Sequence, residues 1–120
     1  MAFMTQTGKF QDALSSGGVV VGHRRFDVTS CSIEALSRCE TTLTVNGKLV
    51  AEGSGSACAG GGPVQAVAFL ANHLNARGMD LMAGHFVATG QTCLYRGVAV
   101  GDRIVAEFQP WGNVSMTVGS

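Results

Sequence analysis

The groups with chemical potential in this chain are three histidines, four cysteines and two short hydroxyl-bearing stretches. Imidazole titrates near neutrality, so His23, His73 and His85 are the acid–base candidates. His23 follows a run of three valines and His85 opens an apolar stretch, so either is placed to face a cavity. A polar residue closing a strand is the blander account of both, and His73, on a helical repeat, reads as a solvent-facing side chain. Cys58 sits among glycines, but no spacing pairs it with a base, as a nucleophilic thiol requires. Cys31, Cys39, Cys58 and Cys93 form no C-x-x-C pair and no zinc-ligand spacing. With no signal-peptide-like apolar run near Met1, reduced thiols in a cytoplasmic protein are the expectation.

Ser15 and Ser16 are adjacent hydroxyls for which capping a turn is the plain account. Thr89, Gly90, Gln91 and Thr92 are expected to line a pocket, with backbone N–H groups facing an anion. Arg24 and Arg25 have the fork geometry to grip a carboxylate, but a solvated face is the simpler account. Trp111 reads as core or interface. The eight acids are Asp12, Asp27, Glu34, Glu40, Glu52, Asp80, Asp102 and Glu107, and no two stand two positions apart. A hard cation needs several converging oxygens, and no local run supplies them.

These residues must be held by elements that the pattern makes visible. Thr42, Thr44 and Lys48 alternate with Leu43, Val45 and Leu49 around Asn46-Gly47, which predicts a β-hairpin. The glycine-rich run from Gly53 to Gly62 predicts a close backbone approach rather than a linker. Pro63 then opens a helix over 63–76: Val64, Val67, Ala68, Ala71 and Leu74 repeat at three and four residues, and Gly78 stops it. Phe69 and Leu70 widen its apolar stripe, so cover on more than one side is expected. Val19–Val21 reads as a buried strand, and 85–90 as a strand running into a loop. Residues 103–108 and 114–118 alternate as half-buried strands should, with a turn at Trp111-Gly112-Asn113. The fold expected is β-rich α+β with one main helix.

A length of 120 residues predicts a single domain, burying roughly 65% of its unfolded surface, with 1–12 as a mobile N-terminal segment. Lys plus Arg and Asp plus Glu both number 8, so there is no basic stripe and nucleic acid is not an expected partner. No run approaches the roughly 20 apolar residues that span a bilayer. A neutral chain with 46% hydrophobic residues predicts a surface covered by another copy or another chain.

Three stretches carry a family resemblance. Leu81-Met82-Ala83-Gly84-His85-Phe86-Val87-Ala88-Thr89-Gly90, then 100–108, then Trp111-Gly112-Asn113-Val114-Ser115, are similar to the closing pattern of the fumarylacetoacetate hydrolase superfamily. Gly47–Gly55 before the Pro63 helix, and Ala13-Leu14-Ser15-Ser16-Gly17 upstream, resemble its 2-keto-4-pentenoate hydratase and 4-oxalocrotonate decarboxylase branch. The resemblance implies a mixed, rolled β-sheet or sandwich of the superfamily's C-terminal type, and a small 2-keto or 2-hydroxydienoic acid as substrate, its carboxylate bound by Ser15 and Ser16. It also implies a magnesium or manganese ion that grips the substrate's carboxylate and 2-oxygen.

The family's metal ligands are a Glu-x-Glu pair and a third acid upstream of the Ser-Ser-Gly element, and this sequence has no such pair. His85 stands where the family usually has an acid, and Leu14 where it has Asn. Three expectations follow: a fragment or split subunit whose partner carries the metal, a metal-free isomerase or cyclase built on His23 or His85, or a non-catalytic β-rich subunit.

Overall fold

Asn46 at φ 51° and Gly47 at φ 82° fill the two left-handed positions of a tight hairpin turn, where glycine is free of Cβ strain. β1 (Glu40–Val45) and β2 (Lys48–Ser54) pair antiparallel on either side of it, with a register shift between Leu43 and Thr44. The hairpin tip is then tied to a distant strand. Asn46 Oδ1 accepts from Arg103 N at 2.9 Å, Asn46 Nδ2 donates to Asp102 at 2.9 Å, and Ala99 N donates to Asp102 at 2.8 Å. β3 (Arg103–Gln109) runs along the other side of β1, and β4 (Gly112–Thr117) along β3. The result is an antiparallel sheet in the order β2-β1-β3-β4. This computed structural model describes residues 19–24, 26, 27 and 31–120.

Strand alternation sorts the side chains. Leu43, Val45, Ile104, Ala106 and Phe108 share one face and form the buried core with Cys39. Each buried Leu, Ile or Phe contributes roughly 1.5–3 kcal/mol by leaving water. Val50, Ala51, Cys93, Tyr95, Val98, Trp111, Val114 and Met116 are among the half-buried residues that close this core. Thr42 and Glu107 lie on the opposite, wetter face, 3.5 Å apart. The β-rich expectation with one main helix therefore holds, and every strand pair described is antiparallel.

Helix α1 (Ile33–Ser37) precedes β1, capped by Ser32 Oγ, which accepts from Ala35 N at 3.0 Å. Two 3-10 turns, Gly55–Ala57 and Ala59–Gly61, lead into α2 (Pro63–Asn75), close to the range read from sequence. α2 ends as expected, with Gly78 at φ 71° just beyond. Its cover is not as expected. Only Pro63 and Ala66 are buried, Phe69 is 71% exposed, and its packing partners are the second 3-10 turn and α1.

Two strand expectations fail. Val19–Val21 has no regular structure, and Val19 and Val21 are exposed. A valine run supplies propensity, but a strand needs a neighbour in hydrogen-bonding reach, and among the described residues none pairs with it. Residues 85–90 are extended but unladdered, held by one backbone bond from Ala59 N to Thr89 O at 3.1 Å and a turn bond from His85 N to Met82 O. The Trp111 turn is shifted: Pro110 and Trp111 form it, and Gly112 already belongs to β4. The five-residue α1 is too short to show a helical period in the sequence. The proposed mobile segment 1–12 lies outside the described residues.

Candidate functional site

Thr89, Gly90, Gln91 and Thr92 lie in the extended strap that crosses the β2 edge. Thr89 is buried, its hydroxyl 3.7 Å from Cys58 Sγ and its carbonyl bonded to Ala59 N. Gly90 lies against the backbone of Cys58 and Ala59, while Gln91 is exposed and Thr92 half-buried. The Thr92 carbonyl presses directly onto Gly53, where any Cβ would overlap it. The glycine-rich loop thus does what its composition implies: it lets two backbones touch, and so fixes the strap to the sheet. Burial pushes the Cys93 thiol up, against a hydrogen bond from Thr92 that pulls it down. Ser15 and Ser16, the other half of the expected pocket, lie outside the described residues, as does Arg25.

The two histidine candidates stand apart from any cavity wall described. His23 is exposed, and His85 is exposed with Nδ1 accepting from Met82 N at 3.3 Å. His73 is a surface residue, stacked on Phe69 at 6.0 Å and 3.1 Å from Arg77. Cys58 is 3% exposed, which shields it from a substrate. Burial, then the neighbouring Cys58 and Glu40, push the Cys39 thiol up to about 11. None of the four cysteines is in a disulfide.

A cleft opens elsewhere, at the β3–β4 side of the sheet, and sequence reading missed it. Arg24, Phe26, Leu36, Phe108, Trp111 and Val114 line this solvent-open cleft. Arg24 lies over the Phe26 ring at 5.4 Å, and Phe26 meets Trp111 edge-to-face at 5.1 Å. Trp111 Nε1 is buried with no hydrogen-bond partner, and so is the Thr41 hydroxyl on β1. The residues of the cleft come from positions nearly ninety apart, so no local spacing could have announced it; the Arg24 signal was present but indistinguishable from a solvated face.

Among the described residues no three His, Cys, Asp or Glu side chains gather as a metal site would require. Glu40, Glu52 and Glu107 share the outer sheet face, with Glu52 and Glu107 opposite Thr42 in register, but they do not converge on one point. No described helix is long and apolar enough to cross a membrane.

No family model matches the sequence. Curated relatives do. The chain is 35% identical over 104 residues to a 4-oxalocrotonate decarboxylase of Pseudomonas putida, covering 87% of this chain and 38% of that protein. It is equally similar to 2-keto-4-pentenoate hydratase 2 of Dechloromonas aromatica, and 32% identical over 105 residues to a 2-hydroxyhexa-2,4-dienoate hydratase of Comamonas testosteroni. The solved structure of a 4-oxalocrotonate decarboxylase from Pseudomonas putida, complexed with calcium and acetate, superposes with a TM-score of 0.75 at 34% identity, covering 87% of this chain and 39% of that one. A second structure, complexed with magnesium and adipate, superposes equally well. The chain spans less than two-fifths of the length of the relatives it matches. Over 87% of its residues, this chain is similar in sequence and in fold to the C-terminal part of the 4-oxalocrotonate decarboxylases and 2-keto-4-pentenoate hydratases.

Proposed function

We propose that the chain is one part of a hydratase- or decarboxylase-type enzyme acting on a small 2-keto or 2-hydroxydienoic acid, completed by a partner that supplies the metal-binding carboxylates. The observation that carries this reading is the 34% identical superposition on a decarboxylase over 87% of the chain. In that role the strap at Thr89–Thr92, pinned by Gly53, positions one wall of the substrate pocket, and Ser15 and Ser16 contribute hydroxyls to the carboxylate. His23 and His85 are the proton-transfer candidates within the chain. A divalent ion such as the calcium or magnesium named with the relatives does not fit the residues described, because their carboxylates do not converge. The partner is a chain corresponding to the remaining N-terminal part of the relatives, and residues 1–120 act beside it as one unit. Two buried thiols, Cys39 and Cys58, outside any disulfide, agree with work in the cytoplasm.

Exposed apolar side chains support the need for a partner: Phe69 on α2, and Met82 and Phe86 in the segment beyond it, are each more than 60% exposed. The test is turnover of 2-hydroxypenta-2,4-dienoate with magnesium, by this chain alone and mixed with the N-terminal part of the Pseudomonas putida decarboxylase. Turnover in the mixture only is the expected result. Activity of the chain alone contradicts the partner requirement, and no activity in either sample, with binding of the two parts demonstrated, contradicts the enzymatic reading.

A further inference from the structure

We infer that the cleft between Arg24 and Trp111 is a binding site for a small planar carboxylate, aromatic or conjugated, distinct from the Thr89–Thr92 strap. The two places are separated along a single row of the sheet. Gly53, Thr41, Phe108 and Gly112 are neighbours in register on β2, β1, β3 and β4. The strap covers the Gly53 end, and Arg24 lies over Gly112 at the other. Three inter-strand steps put these ends about 14 Å apart, too far for one small acid to reach both.

The chemistry of the cleft is that of a conjugated acid. Its walls are the ring of Phe26, the indole of Trp111 and the side chains of Leu36, Phe108 and Val114, which suit a flat apolar body. Among the described residues no acid lines it, and no carboxylate is paired with Arg24. Stacking on Phe26 at 5.4 Å fixes the guanidinium at the mouth, so its fork is oriented before a ligand arrives. The N–H of Trp111, whose side chain lines the cleft, is buried without an acceptor. An orphaned donor is an arrangement that folded proteins avoid unless something completes it.

Trp111 is the only tryptophan in the sequence, so its emission reports this cleft alone. Titrating the full chain with benzoate should shift that emission saturably at roughly millimolar concentration, with benzamide giving no comparable shift. Arg24→Gln should weaken binding roughly tenfold by removing the ion pair. Asn113→Asp, which adds a negative charge at the rim, should weaken it as well, while Arg96→Gln, away from the cleft, should not. Saturation-transfer NMR on benzoate gives the same comparison without relying on the indole. The inference is overturned if benzoate and benzamide bind alike, if inorganic phosphate competes as well as benzoate does, if Arg24→Gln and Asn113→Asp leave benzoate binding intact, or if no saturation is reached.

Discussion

The inner face of the sheet and the apolar side of α2 are built from the same residue types and end in opposite environments. On the sheet, Leu43, Ile104 and Phe108 are each 5% exposed or less; on α2, Phe69 is 71% exposed. The difference lies in what each surface meets. β1, β2, β3 and β4 bring their own cover through the 93–98 segment, Trp111 and Val114, all within this chain. α2 packs mainly against α1 and a 3-10 turn; Val64, Val67, Leu70, Ala71 and Leu74 are only half-buried and Phe69 faces outward. One apolar surface is closed within the chain, and the other is only partly covered by the described residues.

The sharpest way to break this contrast is a pair of matched truncations. Phe108→Ala should lower unfolding free energy by about 3–5 kcal/mol in urea denaturation, the cost of a buried aromatic. Phe69→Ala should change it by less than about 0.5 kcal/mol in the chain alone, because little is lost from an exposed site. Equal effects would mean that α2 is covered in solution. Gly53→Ala falls between them: its methyl group overlaps the Thr92 carbonyl, so a loss of about 1–3 kcal/mol is expected, with increased proteolysis of the 87–95 strap.

The smallest expected effect concerns the hairpin tip. Hydrogen bonds from the Ala99 N–H and the Asn46 amide hold the Asp102 carboxyl below the usual carboxylate value. The folded state therefore binds this proton less tightly than the unfolded chain does. Its contribution is fully present above the ordinary carboxylate range and is lost as pH falls through the lowered pKa. Asp102→Asn should flatten the acid limb of a stability–pH profile by slightly lowering the neutral region, with stability below the lowered pKa close to that of the unmodified chain.

The parts of this fold that were legible in the sequence are those fixed by neighbours in the chain. Asn46-Gly47 dictates its own turn, and Pro63 with Gly78 brackets α2. What was not legible depends on distant partners. Val19–Val21 has the residues of a strand without a neighbour to pair with, and the 85–90 stretch alternates without a ladder. The cleft required Phe26 and Trp111 to meet from 85 positions apart. The Thr89–Thr92 strap was found from family pattern, but its burial against Cys58 and Gly53 was visible only in three dimensions.

Hydrogen–deuterium exchange of this chain, with and without the N-terminal part of the Pseudomonas putida decarboxylase, tests the central contrast most directly. The account predicts new protection over α2 and residues 79–86 when the partner is present, while β1 and β3, already slow, stay unchanged. Unchanged exchange across α2 in a mixture that turns over dienoate would contradict it.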